Sequence, residues 1–187
     1  QKQLSDLHLY RRYRFNGFDT HTNAVIDEEH NLKRALLVAQ DYANDGDGWL
    51  VLLGESGTGK THLAAAIANE VSEQGVDVMF VTLSDLMDYL RQTFSPSSPN
   101  SFDDQFQKVK NIPFLVLDDL TTTQASKPWV REKLIQIIKY RYLKQIPTVI
   151  TTPISLDDLD AQIRTRLMDR RLCHLFVINA RPFVERT

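Results

Sequence analysis

The sequence predicts an α/β fold in which a five-stranded parallel sheet lies between two layers of helices. The first observation is a set of five short, nearly continuous apolar runs, at 49–53, 76–82, 114–119, 148–152 and 174–178. Strands buried on both faces have this pattern, whereas strands with one solvated face alternate apolar and polar residues. The second observation is that helical periodicity or loop composition separates the runs, as the crossover connections of parallel strands require.

The composition limits the class of protein. The chain has 187 residues, 42% hydrophobic and 25% charged, which is typical of one globular domain. Its net charge of −2 argues against bulk cationic binding to nucleic acid. The single cysteine, Cys173, excludes an internal disulfide and a cysteine-based zinc site. No apolar stretch approaches the roughly 18 residues of a membrane span, and we expect a cytoplasmic protein with no membrane partner.

The region before the first strand divides into two parts. Residues 1–26 are a basic and aromatic entry segment, and a helical pattern begins near Asp27. The chain does not begin with Met. We therefore expect a piece of a longer protein, in which 1–26 is the remnant of a linker to an N-terminal module and 27–187 is the folded domain.

Three further helices are predicted after the first strand. They cover 62–71, 83–94 and 128–143. Ser84 is a candidate N-cap of the second, and Pro128 suits the first turn of the third. The segment 95–101, SPSSPNS, has the composition of a loop.

A glycine-rich loop follows the first strand. It matches the phosphate-binding pattern G-x-x-x-x-G-K-[ST] with Gly54, Glu55, Ser56, Gly57, Thr58, Gly59, Lys60 and Thr61. Its glycines let backbone N–H groups point at phosphate oxygens, and a helix that begins at Lys60 adds its positive dipole end. We expect Lys60 to neutralise the β- and γ-phosphates, Thr61 to bind Mg²⁺, and His62 to pack beside the loop. The predicted cofactors are ATP and Mg²⁺.

Two acidic residues, Asp118 and Asp119, end the third apolar run. In an open α/β sheet, ligands bind at the carboxyl ends of the strands. We expect Asp118 to hold Mg²⁺ through water and Asp119 to orient or activate the attacking water.

Four arginines precede the last strand, namely Arg164, Arg166, Arg170 and Arg171. Helical spacing predicts that Arg166 and Arg170 share one face. Arginines placed in this way can stabilise the transferring phosphoryl group on a neighbouring copy.

The order of these motifs is more specific than any one of them. Over residues 18–183 the chain contains, in order, GESGTGKTHLAAAIANEV, VMFVTLSDLMDYLRQTF, LVLDDL, PTVITT and RLMDRR. This set resembles the AAA+ ATPases of the bacterial replicative-helicase loaders (DnaC and DnaI type) and the related IstB transposition helper. The resemblance implies a P-loop AAA+ fold, Walker B residues at Asp118 and Asp119, and an arginine finger at Arg170, with Arg166 as a second candidate.

The chain departs from the family pattern around the reaction centre. Many family members carry Glu where Asp119 stands, and most carry Asn, called sensor 1, where Pro153 stands. Pro153 has no side-chain donor. We expect Thr151 or Thr152 to substitute, with slow hydrolysis that oligomerisation or DNA stimulates.

The C-terminal part departs as well. The arginine called sensor 2 is replaced around Val184, and Arg181 and Arg186 lie nearby but out of register. The chain is also short for a full helical lid, so we expect this lid to be truncated or absent, as in the loaders.

The resemblance also implies partners. Loaders assemble into oligomers with single-stranded DNA along the inside, and the matching positions here are Arg91, Phe94, Ser126 and Lys127. Cations for phosphates and an aromatic ring for base stacking suit that role. We expect a replicative helicase to be gripped by the absent N-terminal module, and residues 11–18 to lie along the adenine.

The leading hypothesis is an ATP-switched helicase loader that binds single-stranded DNA. Two alternatives remain open at this point. One is an IstB-like ATPase helper that acts on duplex DNA beside a transposase. The other is a nucleotide-switched scaffold that scarcely hydrolyses ATP.

Overall fold

A single parallel sheet organises the chain in the computed structural model, which describes residues 4–21, 26–95, 101–121, 127–153 and 155–185. Its strands are β1 (Trp49–Leu53), β2 (Val78–Thr82), β3 (Phe114–Asp118), β4 (Thr148–Thr152) and β5 (Cys173–Val177). They lie side by side in the order β2-β3-β4-β1-β5, and each adjacent pair is parallel. The strands match the predicted apolar runs to within two residues, which confirms the α/β fold with a five-stranded parallel sheet.

Six α-helices connect the strands in the described part of the chain. They are α1 (Ile26–Asp45), α2 (Lys60–Glu73), α3 (Leu83–Gln92), α4 (Phe102–Asn111), α5 (Pro128–Leu143) and α6 (Ala161–Leu167). Pro128 lies in the first turn of α5, as predicted. No helix within the described ranges is long and apolar enough to cross a membrane.

Helix α4 was not predicted from the sequence. Ser101 caps its N-terminus, because its hydroxyl accepts a bond from the backbone N–H of Asp104 at 3.1 Å. Phe102, Phe106 and Val109 recur at i, i+4 and i+7 and pack into one core, so the helical pattern was present in the sequence and the prediction overlooked it.

The prediction that Ser84 caps α3 was wrong. The cap is Thr82, whose hydroxyl accepts a bond from the backbone N–H of Asp85 at 3.1 Å and donates to the carboxylate of Asp85 at 2.7 Å. Strand β2 passes directly into α3, so the last residue of the strand occupies the cap position. The spacing T-x-x-D carries the signal for this cap.

The sheet separates two hydrophobic cores, which gives the predicted three layers. Trp49 and Val51 face the layer of α3, α4, α5 and α6, whereas Leu50 and Leu52 face α1 and α2. Alternate residues of β1 therefore serve opposite cores. Trp49 and Cys173 are buried packing residues, as expected.

The described part of the entry segment packs onto the domain. Leu4 and Phe18 are buried, one in each core. The N–H of Asp6 donates to the carbonyl of Phe80 at 2.7 Å, and the N–H of Phe80 donates to the Ser5 hydroxyl at 3.1 Å. These contacts satisfy backbone groups of Phe80 at the free edge of β2.

Candidate nucleotide-binding site

A cavity of about 800 Å³ opens at the carboxyl-terminal edge of the sheet. Parallel register brings Leu53 of β1 beside Thr152 of β4, and Thr82 of β2 beside Asp118 of β3. The cavity lies between these strand ends, the glycine-rich loop and the entry segment. Its volume suits a small-molecule ligand.

The backbone of the glycine-rich loop requires glycine at two positions. Gly59 precedes α2 with φ of +111°, and a Cβ atom there would lie 2.6 Å from the Phe18 ring. At Gly54, a Cβ atom would lie 2.7 Å from the carbonyl oxygen of Ile178. The loop can follow this path only because these side chains are absent. The predicted loop residues that line the cavity are Ser56, Gly57, Gly59, Lys60, Thr61 and His62.

Lys60 begins α2 as predicted, and its ammonium group is held inside the loop. Nζ donates to the carbonyl oxygens of Gly54 at 2.7 Å and Glu55 at 2.6 Å. Burial lowers the pKa of Lys60, while the carboxylates of Asp118 and Asp119 oppose that shift. The loop therefore keeps a lysine charge beside the helix N-terminus, where phosphate oxygens bind in such motifs.

Thr61 and Asp118 meet from different elements. The Thr61 hydroxyl lies 3.1 and 3.0 Å from the two carboxylate oxygens of Asp118, which is 3% exposed. Burial raises the pKa of Asp118, and hydrogen bonds from Thr151 and Thr61 counteract part of that increase. The end of β3 thus places a buried carboxylate directly beside the start of α2.

This pair of oxygen donors fits Mg²⁺. Within the described ranges, no group of three or more His, Cys, Asp or Glu side chains could hold a metal ion by itself. Mg²⁺ at phosphate sites commonly takes one or two protein oxygens and completes its shell with water and phosphate. A hydroxyl and a carboxylate in contact, at the mouth of a phosphate loop, have that chemistry.

Asp119 has an unusual backbone conformation. Its φ is +57°, in the left-handed region that non-glycine residues rarely adopt. The residue lines the cavity, next to Asp118. The two acidic residues that the sequence predicted therefore both line the cavity, and the second lies in a strained turn.

His62 joins the cavity to the entry segment. Its Nε2 lies 2.8 Å from the carbonyl oxygen of Arg14 and must donate, because a carbonyl can only accept. The imidazole packs edge-on against Tyr13 and Phe18, with ring centroids 5.0 and 5.4 Å apart. Tyr10, Tyr13 and Phe18 line the cavity, so part of the 11–18 segment borders it, and its contact with an adenine base stays a prediction.

The prediction that Arg166 and Arg170 share a helix face was wrong. Helix α6 ends at Leu167, three residues before Arg170. The carboxylate of Asp169 accepts bonds from the backbone N–H and the guanidinium of Arg171, which closes a turn in place of another helical turn.

The arginines before β5 differ in their partners. Arg171 is bonded to Asp169, and Arg166 donates to the carbonyl of Gln162 at 2.6 Å. Arg164 donates to the carbonyl of Asp157 at 3.3 Å. Arg170 is exposed and has no hydrogen bond or ion pair within the described residues.

Arg170 lies far from the nucleotide cavity of its own chain. It precedes β5 at the amino-terminal edge of the sheet, where it lines a second cavity with Asp41 and Asp45 of α1. The glycine-rich loop is at the opposite edge. Arg170 can therefore contact a nucleotide only in another copy of the chain.

The residues considered for the sensor 1 and sensor 2 positions differ in their surroundings and hydrogen-bond partners. Pro153 lines the cavity, and so does the hydroxyl-bearing Thr151. Thr152 instead donates to the carbonyl of Leu120 at 2.7 Å. Arg181 is paired with Glu28 at 3.1 Å. Val184 is 80% exposed, and Arg186 lies outside the described residues.

The candidate DNA contacts lie on a separate face, formed by α3, α4 and α5. Phe94 is 57% exposed and stacks on Phe102, with ring centroids 4.6 Å apart. Arg91 covers the ring of Trp129 at 5.0 Å. Lys127 is exposed at the start of α5, and Ser126 lies outside the described residues.

Sequence reasoning did not identify Phe102 or Trp129 as members of this group. Lys133 also belongs to this group, since its Nζ lies 5.5 Å from the Phe102 ring centroid. The available signal was aromatic and basic residues at the starts of two consecutive helices. It was hidden because α4 was not predicted. We call Arg91, Phe94, Phe102, Trp129 and Lys133 the aromatic–basic face.

Comparisons with known proteins agree with this geometry. The model of the IstB-like ATP binding protein family matches residues 14–182. A replicative helicase loader, DnaC of Escherichia coli (strain K12), is 33% identical over 141 residues, which are 73% of this chain and 56% of the relative. The loader DnaI of Bacillus subtilis (strain 168) is 31% identical over 122 residues, or 64% of this chain and 38% of the relative. The chain spans about half or less of the length of these curated relatives.

Solved structures share the fold. A crystal structure of the DnaC helicase loader covers 91% of this chain with a TM-score of 0.72 and 26% identity, and the match covers 99% of that structure. DnaA from Aquifex aeolicus bound to AMPPCP has a TM-score of 0.71 at 18% identity over 88% of this chain and 50% of its own, which shows the fold alone. The family match covers most of the chain, and the P-loop, the Thr61–Asp118 pair and the sheet order agree with it. The chain therefore belongs to the IstB-like ATP-binding protein family and is an AAA+ domain of the helicase-loader type.

Proposed function

We propose that this chain is the ATP-binding and ATP-hydrolysing domain of a replicative helicase loader that acts in DNA replication initiation. The observation that carries the proposal is the contact of Thr61 with Asp118 beside the buried ammonium of Lys60. This contact joins a phosphate loop to a metal-binding carboxylate. The names of the relatives DnaC and DnaI support the biological setting.

Binding of ATP uses groups that the chain already holds in place. Lys60 exchanges two neutral carbonyl partners for charged phosphate oxygens, and charge-assisted bonds are the stronger kind. Thr61 and Asp118 hold the metal. A Mg²⁺ ion held by these two side chains would supply positive charge to offset the negative charge of the phosphates. Asp119, at the cavity wall, orients the attacking water.

Hydrolysis requires a second copy of the chain. Lys60 is the only Lys or Arg among the residues that line the cavity in the described part of the chain. Arg170, exposed at the opposite sheet edge, supplies the missing charge to the nucleotide of a neighbour. Turnover therefore depends on self-association.

The aromatic–basic face is the proposed contact for single-stranded DNA. Exposed Phe94 offers a ring for a base to stack on, Arg91 and Lys133 lie beside the neighbouring rings of Trp129 and Phe102, and exposed Lys127 precedes α5 as a further cation for phosphates. A duplex keeps its bases stacked inside and cannot use that ring. The expected preference is for single strands, and the replicative helicase is the expected protein partner of the full-length loader.

The second candidate is an ATPase helper of a transposase on duplex DNA, which the IstB-like family match supports. Fluorescence anisotropy separates the two functions. Labelled single-stranded and duplex DNA of equal length are titrated with the chain at fixed salt, with and without ATP and Mg²⁺. An ATP-dependent preference for single strands supports the loader, and a preference for duplex supports the transposase helper. If neither DNA binds, the DNA-binding part of the proposal is wrong.

A further inference from the structure

One hydroxyl group links the two acidic residues of the nucleotide site. Thr151 lies in β4, is 1% exposed and lines the cavity. Its hydroxyl donates to Oδ1 of Asp118 at 2.6 Å and accepts the backbone N–H of Asp119 at 2.9 Å. A hydroxyl has one proton and two acceptor sites. Here the hydroxyl donates its hydrogen bond to the Asp118 carboxylate and accepts one from the Asp119 backbone.

The bond to Asp118 leaves a defined part of that carboxylate available. Oδ1 receives the short bond from Thr151, so the carboxylate is held from the side of β4. The Thr61 hydroxyl, on the side of α2, lies 3.1 Å from Oδ1 and 3.0 Å from Oδ2. The bond from β4 therefore anchors the carboxylate through Oδ1 alone, and Oδ2 faces only the Thr61 hydroxyl among the described hydrogen-bond partners.

The bond to Asp119 acts on a strained backbone. A φ of +57° at a non-glycine residue is unfavourable and persists only where the surrounding structure holds it. Thr151 supplies two of the restraints, because its hydroxyl accepts the Asp119 N–H and its carbonyl accepts the Leu120 N–H at 2.9 Å. The direction of the Asp119 carboxylate therefore depends on β4.

We propose that Thr151 is the positioning residue of the acidic pair, and that it performs this role from inside β4 because Pro153 has no side-chain donor. Thr151 acts through Asp118 and Asp119 and needs no contact with the nucleotide. The inference rests on the proposed ATP–Mg²⁺ site and adds to it the group that aligns the metal-binding carboxylate.

Thr152 provides a matched control. It is the next residue of β4, is fully buried, and carries the same hydroxyl. That hydroxyl donates to the backbone carbonyl of Leu120 at 2.7 Å. Replacing either threonine by valine removes a buried hydroxyl and preserves the shape of the side chain.

The experiment measures nucleotide affinity against Mg²⁺ concentration for wild type, Thr151→Val, Thr151→Ser and Thr152→Val. The readout is the fluorescence of a labelled ADP analogue, first in EDTA and then over a Mg²⁺ titration, with Tm recorded for each protein. We expect Thr151→Val to keep its affinity in EDTA and to need about 10- to 100-fold more Mg²⁺ at the midpoint. We expect Thr151→Ser to have the wild-type Mg²⁺ midpoint. Thr152→Val should lower Tm but leave the Mg²⁺ midpoint unchanged.

Equal Mg²⁺ midpoints for the two valine variants would overturn the role of Thr151 while the ATP site stands. If Thr151→Val does not fold, Thr151→Ser and Thr151→Ala are compared instead, since these two differ by the hydroxyl alone, and equal midpoints for this pair would overturn the role as well. A wild-type protein that binds no nucleotide, with or without Mg²⁺, would overturn the proposed function and this inference together.

Discussion

The two edges of the sheet treat their charged groups in opposite ways. At the carboxyl-terminal edge, Lys60, Asp118 and Thr151 are buried; Lys60 donates to carbonyls of its own loop, and Thr151 of β4 donates to Asp118 of β3. At the amino-terminal edge, Arg170 is exposed on a turn that Asp169 and Arg171 hold closed. The carboxyl-terminal edge holds its charged groups buried and in place for a ligand, whereas the amino-terminal edge exposes a charged group to solvent. The proposed function therefore predicts that one copy binds nucleotide and that hydrolysis needs a second copy.

The largest expected effect follows from substituting the exposed charge. Arg170→Ala should reduce ATP hydrolysis by about 10³-fold or more, because the transferring phosphoryl group loses its external cation. Nucleotide affinity should stay unchanged, since Arg170 is at the opposite edge from its own cavity. Steady-state phosphate release and labelled-nucleotide binding measure the two quantities. Arg34→Ala, which removes another exposed arginine, is the control.

Mixing two inactive variants sharpens this test. Arg170→Ala retains an intact cavity, and Asp119→Asn retains an intact Arg170. Mixed oligomers should therefore recover part of the activity. Hydrolysis per chain that does not vary with protein concentration, together with no recovery on mixing, contradicts a finger supplied by a neighbour.

The next effect concerns the buried charge at the other edge. Lys60→Ala should weaken ATP binding by about 100-fold or more, because the phosphates lose their only charged partner in the loop. Equilibrium binding of a labelled ATP analogue measures the change. Lys139→Ala, at an exposed lysine of α5, should bind as wild type does. An unchanged dissociation constant for Lys60→Ala means that the cavity is not the phosphate site.

The third prediction concerns the aromatic–basic face and its proposed binding of single-stranded DNA. Phe94→Ala should weaken single-stranded DNA binding by about tenfold, the usual contribution of one base–aromatic stack. Anisotropy at fixed salt measures it. Leu37 of α1 has the same fractional exposure of 57%, so Leu37→Ala controls for the loss of exposed apolar surface. If the two variants bind alike, the stacking surface lies elsewhere.

The smallest effect concerns the stability of the empty site. Burial raises the pKa of Asp118 above its unfolded value, so the folded state binds more protons and stability falls as pH rises through that window. At neutral pH the charged carboxylate is therefore a net cost. Asp118→Asn should raise Tm of the nucleotide-free protein while it abolishes the effect of Mg²⁺ on nucleotide affinity.

Asp160 serves as the control, because its pKa is shifted in the opposite direction from that of Asp118. A hydrogen bond from Arg131 lowers the pKa of Asp160, so its ionised form contributes stability that is present above the unfolded pKa and is lost as pH falls. Asp160→Asn should therefore lower Tm slightly. Thermal unfolding in nucleotide-free buffer decides both, and a lower Tm for Asp118→Asn contradicts the sign derived for the nucleotide site.

Much of the fold could be predicted because each strand is buried on both faces. The runs at Trp49–Leu53 and Thr148–Thr152 match the observed strands residue for residue. Helix α4 could have been predicted, because Phe102, Phe106 and Val109 have the spacing of one helix face, but the prediction overlooked it. Its absence also concealed Phe102 and the stack that it forms with Phe94.

The predictions at helix boundaries were less accurate, since caps depend on how neighbouring elements meet. Ser84 and Thr82 are both good capping residues, and the direct passage from β2 to α3 selects Thr82. Arg166 and Arg170 have helical spacing, but the bonds of Asp169 to Arg171 stop the helix between them. In both cases a local hydrogen bond decides between two patterns that the sequence permits.

The sequence by itself determined the phosphate loop, the acidic pair and the strands that carry them. Those features are local, because the loop needs glycines and Lys60 at fixed spacing, and a strand buried on both faces needs a continuous apolar run. Only the tertiary structure decided that Thr151, 33 residues from Asp118 along the chain, bonds both acidic residues. Only the tertiary structure also showed that Arg170 and the nucleotide cavity of the same chain lie at opposite ends of the strands. Contacts between distant segments follow from the lateral order of the strands in the sheet, β2-β3-β4-β1-β5, and no spacing along the chain encodes that order.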